Sequence, residues 1–502
     1  MTIASSRPCT VNVTLSSDDA SWTVRYGVEA NDHVLPLLGL RPDRTYDVEV
    51  SLVGADGETL SVDVDPIDVA PLHSSFPTLE VRVDARASRQ PGPTLLSLRN
   101  AGRQNDEPIG YFVIVDEDAE PIWAYEPEYI TSDVSQLSGG GILAMVETPD
   151  GGAIVELSML GRQRQRFGHE TSGRGIAVPG VLDFHHEAEP LENGHILALN
   201  RQPVWVEDYP SSYSNPEPRQ DTWVAADVVV EFDGEGTVHR TWPIAPHLDL
   251  TRVGYDSLGS SDLTDALDWS HANGVVRTTE GDLILSLRHQ DALIKLSGST
   301  GALMWILATP DNWPEPLQPY LLEADGPLDW PFHPHAPMVG PSGEVLVFDN
   351  GNNRTSPFVQ GPVDDPREQY SRVVEYIVDE AAMTVRQSLA FLGPEGGSLF
   401  ATHAGDADYL PNGNILSVFG ALASQDGLWM EDHGLAQRSA RVMEFVPGDA
   451  NTVVWDLSIH RTAEQADRAW SCYRAERIAG LYAPELMVTV DEGAVASEDA
   501  SL

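Results

Sequence analysis

The sequence predicts an all-β fold, a six-bladed β-propeller preceded by a small fibronectin-like β-sandwich. The first observation is a recurring unit, a polar turn with glycine followed by a short apolar strand. It reads Leu137-Ser138-Gly139-Gly140-Gly141-Ile142-Leu143, Leu191-Glu192-Asn193-Gly194-His195-Ile196-Leu197 and Thr279-Glu280-Gly281-Asp282-Leu283-Ile284. It returns as Pro341-Ser342-Gly343-Glu344-Val345-Leu346 and Leu410-Pro411-Asn412-Gly413-Asn414-Ile415. The second observation is an apolar strand between copies that ends in tryptophan, at Trp123, Trp242, Trp305 and Trp455. The third is strict apolar–polar alternation over the first ninety residues, the period of half-buried strands.

Those first residues supply candidate strands at 10–15, 22–28, 46–53, 61–64 and 79–83. The run Leu38-Gly39-Leu40-Arg41-Pro42-Asp43-Arg44-Thr45-Tyr46 matches a sandwich corner, where a tyrosine hydroxyl bonds back to the upstream backbone. Residues 88–93 read as a linker, so the divisions are 1–92 sandwich, 93–490 propeller and 491–502 acidic tail. Within the propeller, glycine serves each hairpin because it tolerates φ > 0. Five copies plus a closing segment near 453–457 give six blades. Two insertions, 202–221 and 308–331, interrupt the repeat; the second adjoins His333 and His335 and reads as a lid. Residues 462–477 read as the one long helix.

Composition sets limits on partners. With 77 acidic against 30 basic residues the formal charge is −47, and Lys295 is the only lysine. Such a surface repels nucleic acid and anionic membranes. It suits salt-rich surroundings, where self-repulsion is screened, and equally an ordinary acidic enzyme. There is no apolar run of about 18 residues to span a bilayer. The first residues lack the basic and apolar regions of a secretory leader. The location is cytoplasmic as the sequence stands, or periplasmic or exported if a leader was removed. Cys9 and Cys472 read as reduced thiols, without a zinc motif.

Propeller geometry gives the scattered histidines a meeting place, because inner strands converge on a central channel. His185 and His186, His271 with Asn273, His333 and His335, and His403 each precede a glycine turn by a similar offset. Equivalent offsets place them on equivalent strands. His271 and Asn273, two apart, should share a face. His185 and His186 are adjacent, so only one should face the channel, and His186 is preferred. His195 and His289 read as hydrogen-bonded structural residues. Asp349, Asn350 and Asn352 read as turn chemistry, with side chains bonding the backbone.

Four motifs then match a family in order: Phe184-His185-His186-Glu187, Asp268-Trp269-Ser270-His271-Ala272-Asn273, Ser286-Leu287-Arg288-His289-Gln290, and His335-Ala336-Pro337 with Phe348-Asp349-Asn350-Gly351-Asn352. They resemble the bacterial arylsulfotransferases that do not use the nucleotide donor PAPS, and the closing Tyr473-Arg474-Ala475-Glu476-Arg477 is similar as well. The resemblance covers roughly residues 95–485. It implies transfer of a sulfuryl group from an aryl sulfate to a phenol through a sulfohistidine, with His335 as nucleophile by motif position.

The chemistry is coherent on the residues themselves. Neutral imidazole is a good nucleophile near pH 7. Arg288 offers a planar fork for sulfuryl oxygens. His271 is the first choice for proton transfer to and from the phenolic oxygen, and His186 completes the ring. The catalytic set is therefore His335, His271, Arg288 and His186, and the substrate-binding set is Asn273, His185, His403 and His333. The reading requires no cofactor and no metal, and its partners are a small aryl sulfate and a phenol. A homodimer through the first domain stays open. The alternatives are a metal-dependent propeller hydrolase or oxygenase using the same histidines, against which Arg288 argues by charge, and a non-catalytic binding propeller.

Overall fold

The computed structural model describes residues 1–100, 109–261, 265–363, 365–394, 399–425, 428–429, 438–448, 450–461, 469–484 and 487–492. Its first part is an antiparallel sheet of Thr2–Ser16, Ser21–Val34, Arg44–Gly54 and Thr59–Asp63. Alternation forms it: Val11, Val13 and Leu15 bury one face against Val48, Val50 and Leu52. Ile67–Val69 pairs with the start of Arg44–Gly54, so that strand serves two sheets. The expected corner is present, with the Arg41 N–H donating to the Tyr46 hydroxyl at 2.9 Å.

Six blades of four antiparallel strands follow, each with its inner strand on the axis; the second and third are joined into one sheet through Gly152 and Phe184, and outer strands extend the fifth and sixth. The second to fifth blades begin with Ile130–Gln136, Phe184–Pro190, Ala272–Arg277 and Pro334–Val339, and the sixth with Asp406–Tyr409. The first blade mixes the two ends of the chain, Trp470–Arg477 lying inside Thr94–Asn100, Gly110–Val115 and Pro121–Tyr125. Successive inner strands touch all the way round, Trp470–Arg477 meeting both Ile130–Gln136 and Asp406–Tyr409. The repeat behaves as its sequence predicts. Gly194, Gly281, Gly343 and Gly413 all take φ between 81° and 92°, which a side chain would oppose. Trp123, Trp242, Trp305 and Trp455 all lie on fourth strands, the last three buried between blades.

Three expectations need correction. The strand at 79–83 belongs to the propeller: Thr78–Asp84 pairs with Thr452–His460 as an extra outer strand of the sixth blade. Val488–Glu492 returns to the first sheet beside Ser21–Val34, so the tail contributes a strand there. The segment read as a helix contains the strand Trp470–Arg477, and residues 462–468 lie outside the described residues. Each of these strands pairs with a segment hundreds of residues away, a partner that local periodicity does not report.

Arg474 closes the ring from within. Its guanidinium donates to Gly405 O at 2.9 Å, to Asn273 O at 3.3 Å, and to Asp406 and Glu187 at 3.3 Å, while Nε reaches Asp133 at 3.4 Å. One buried side chain of the first blade thus touches inner strands or their lead-ins in the second, third, fourth and sixth. Burial pushes the carboxyls of Asp133, Glu187 and Asp406 upward (Asp406 to about 6), and Arg474 works against it. Arg474→Leu should destabilise the protein by about 3–5 kcal/mol, because it strands buried carboxylates. A carboxyl whose folded pKa is raised stabilises the fold at low pH and loses that contribution as pH rises. The deficit, read as a shift in urea midpoint, should therefore shrink as pH falls from about 7 to about 5.

Candidate active site

A cavity of about 1020 Å³ opens on the axis, lined by His185, His186, His271, Arg288, His335 and His403 together with Asp268, Arg99, Arg201 and Tyr473. Irregular inner strands place the imidazoles. Register breaks fall between His185 and Ala188, Ala272 and Gly274, and His335 and Met338. His186 and Ala336 sit within two of these breaks at φ 60° and 50°, and His271 directly precedes the strand that holds the third, at φ 47°. A non-glycine residue in that region costs on the order of 1–3 kcal/mol and persists where surrounding structure imposes it. Bulges re-aim side chains, and here they defeat simple alternation. His185 and His186 both reach the cavity, contrary to the expectation that only one could.

Asn273 does not line the cavity, although alternation put it on the face of His271. Its amide donates to Pro334 O at 3.0 Å and its carbonyl accepts from Ser286 Oγ at 2.5 Å. The side chain is spent on holding the strand that carries His335, so the substrate-binding assignment is withdrawn. His333 also lies behind the cavity wall. It is fully buried, its Nε2 is 3.2 Å from Asp256 and its Nδ1 is 2.9 Å from Asp291. Burial alone would depress its pKa, but the two carboxylates outweigh burial and raise it.

His335 is buried, and its Nδ1 faces His333 O at 3.3 Å. A carbonyl only accepts, so Nδ1 carries the proton and Nε2 keeps a lone pair. Burial first, then Arg288 and Arg474, hold its pKa well below the usual imidazole value. His271 differs. Its Nδ1–H donates to Asp268 Oδ2 at 2.5 Å, and its ring stacks on His289 with centroids 4.4 Å apart. The His289 Nδ1–H donates to Asp268 O at 2.6 Å, a structural role as read. The His271 and His186 rings meet edge to face at 4.6 Å. His186 shares a 2.9 Å Nδ1–Nδ1 hydrogen bond with His185, whose Nε2 lies 3.1 Å from Asp227. Burial, with His271 and His185 nearby, depresses the His186 pKa strongly.

Arg288 is pinned at one end. Nη1 pairs with Asp256 at 3.1 Å and Nη2 donates to Thr402 O at 3.4 Å, while Nε is buried with no partner among the described residues. Asn350 and Asn352 bond the backbone, as read. Their amides donate to the carbonyls of Ala401, Ala404 and Thr402, and so position the loop bearing His403. Neither insertion covers the cavity. Residues 308–331 run along the outside, Glu323–Ala324 pairing with the outer strand Thr384–Phe391, and the lid reading of that insertion is withdrawn.

Among the described residues, one group has ligating atoms close enough for a metal ion: Asp268, His271 and His289, within 4.8 Å of one another. The nitrogens facing Asp268 are already hydrogen bonded to it.

Sequence reasoning missed the carboxylates behind the imidazoles. Asp227 accepts from Ser270 Oγ at 2.7 Å and Ala272 N at 2.6 Å besides facing His185. Its signal was legible, a lone acid inside the apolar run Val224-Ala225-Ala226-Asp227-Val228-Val229. Asp256, in a glycine-rich loop, offered none. Tyr473 stands in the sequence only as part of a motif; its hydroxyl is buried with no partner among the described residues, and the residue lines the cavity.

A family described as arylsulfotransferase (ASST) matches residues 83–474. The arylsulfate sulfotransferase AssT of Escherichia coli O6:H1 is 25% identical over 287 residues, 48% of this chain and 46% of that protein. The chain thus spans about half the length of this curated relative. Among solved structures, a Bacteroides caccae protein of unknown function is similar at TM-score 0.40 and 12% identity, covering 77% of this chain and 100% of that one. Virginiamycin B lyase of Staphylococcus aureus is similar at TM-score 0.32 and 8% identity, covering 76% and 89%.

The site makes a titration prediction. At pH about 6.5, where a free imidazole is half protonated, His335 and His186 should be neutral and His333 largely protonated. NMR of histidine-labelled protein, assigned with single substitutions, reads this directly. A His335 that titrates at or above the free value would contradict the geometry.

Proposed function

The chain belongs to the arylsulfotransferase family, and from that premise we propose that it moves a sulfuryl group from an aryl sulfate donor to a phenolic acceptor through a sulfohistidine on His335. The observation that carries this reading is the tautomer of His335. With Nδ1–H held by His333 O, its Nε2 lone pair is free in the cavity that Arg288 and His271 also line.

In the first half-reaction Nε2 attacks sulfur, an N–S bond forms and the S–O bond to the aryl oxygen breaks. The departing phenolate takes a proton from Nε2 of His271, whose imidazolium the Asp268 carboxylate stabilises. In the second, the acceptor phenol returns its proton to His271, its oxygen attacks sulfur, and the N–S bond breaks to restore His335. Charge on the non-bridging oxygens falls to Arg288, whose guanidinium lines the cavity beside Tyr473. A depressed pKa serves the nucleophile by keeping it unprotonated, while Asp268 orients His271 through Nδ1 and leaves Nε2 to exchange the proton. Two imidazoles in one cavity therefore take different tasks from different neighbours.

The Asp268–His271–His289 group is the one observation that favours a metal-dependent reading. A chelator separates the two. Release of nitrophenolate from p-nitrophenyl sulfate should depend on added phenol and survive chelation. His335→Ala should abolish it, and Arg288→Ala should lower kcat by about 10²–10³, the loss of roughly 3–4 kcal/mol that follows removal of one preorganised oxyanion donor. Turnover that is undiminished in His335→Ala, or that stops on chelation, contradicts the proposal.

A further inference from the structure

His403 faces the cavity but cannot act as a donor there. Its Nε2 accepts from Arg438 Nη1 at 3.0 Å, and its Nδ1–H donates to Thr402 Oγ1 at 3.0 Å. Both nitrogens are occupied, and the ring must be neutral to accept. Burial, followed by Arg438, Arg288 and Arg99, keeps its pKa well below the usual value. The imidazole therefore works as a bracket for Arg438.

Arg438 has no carboxylate partner within ion-pair distance among the described residues, and Arg99 lies near enough to depress its charge further, after burial. Arg99 lines the cavity and, among the described residues, pairs with one acid, Glu147, at 3.7 Å with both side chains over a third exposed. A loose exposed pair of that kind contributes little. Several buried guanidiniums in this protein meet carboxylates closely, Arg201 with Asp183, Arg372 with Asp349, Arg441 with Asp456 and Arg474 with Asp406, while Arg252 bonds Gln290 instead. In a chain of 77 acidic and 30 basic residues, two guanidiniums near enough to oppose each other's charge, neither closely paired with an acid among the described residues, point to an anion supplied from outside. The sulfuryl group is claimed by Arg288 and the histidines, which leaves these two cations for another charge on the same ligand.

We propose that Arg99 and Arg438, the latter held by His403, form a second anion subsite, and that the aromatic substrate carries a ring carboxylate or equivalent anion in addition to its phenolic oxygen. The inference rests on the sulfuryl-transfer reading for the identity of the phenolic end. The subsite itself stands on Arg99 and His403 in the cavity lining and on the hydrogen bond by which His403 holds Arg438.

The test compares 4-hydroxybenzoate with 4-hydroxybenzamide, which match in shape and differ in charge. Each serves as acceptor with p-nitrophenyl sulfate, and each is titrated calorimetrically into the whole protein. The benzoate should be favoured about tenfold or more in both kcat/KM and affinity. The preference should fall several-fold in Arg99→Gln and in Arg438→Gln, and also between about 0.05 and about 0.5 M salt in the unaltered protein. No preference for the anion, or a preference that persists in both variants, overturns the subsite. If Arg438→Gln fails to fold, Arg99→Gln and the salt series decide. If neither acceptor is turned over, the transfer reading falls while the calorimetric preference still rules on the subsite.

Discussion

The structure depends on one guanidinium at the axis. Arg474 comes from the last propeller strand, Trp470–Arg477, and reaches main-chain carbonyls and carboxylates on inner strands or their lead-ins from residues 133 to 406. A propeller blade buries its faces against its neighbours, so lateral packing alone leaves the inner edges weakly specified. Arg474 converts those edges into a single network of charge-assisted hydrogen bonds. Its partners would be costly to bury alone, which makes the arrangement mutually dependent. Rigid inner strands then tolerate left-handed residues at His186 and His271, and those irregular positions turn imidazoles into the cavity.

The site separates its charges by depth. The cavity wall carries guanidiniums and imidazoles, while most of the carboxylates that balance them, Asp227, Asp256 and Asp291, stand behind the wall. Four acids also line the cavity, Glu147, Asp150, Asp183 and Asp268; Asp183 is committed to Arg201 and Asp268 to His271. The imidazoles and guanidiniums of the cavity thus offer donors to an anionic ligand inside a molecule that carries far more acidic than basic residues. The same separation sorts the histidines. Burial, helped by neighbouring guanidiniums or imidazoles, holds His335, His186 and His403 below the usual value, whereas the equally buried His333 between two carboxylates is drawn toward its charged form.

Much of this was legible in the sequence, and the rest fails for physical reasons. Glycines with positive φ and tryptophans on fourth strands are local features with local causes, and they marked the blades. The Tyr46 corner was legible for the same reason. Thr78–Asp84 and Trp470–Arg477 were misplaced because their partners lie at the far end of the chain, where no period of two or 3.6 can point. Cavity residues were found through their motifs, but the orientation of Asn273 was not. Alternation assumes a regular strand, and the strand breaks register between Ala272 and Gly274. The carboxylates behind the imidazoles were the largest omission. Asp227 betrayed itself as an acid in an apolar run, whereas Asp256 sits in a loop whose composition says nothing of its partners.

The central claim is that His335 Nε2 bonds to sulfur. It is tested most directly by exposing the protein to an aryl sulfate without acceptor, then measuring intact mass and mapping the modified peptide. The account predicts a gain of about 80 Da, one sulfuryl group on a covalent intermediate, localised to His335 and lost when a phenol is added. A stable adduct on a different residue, or none while aryl sulfate is being consumed, would contradict it.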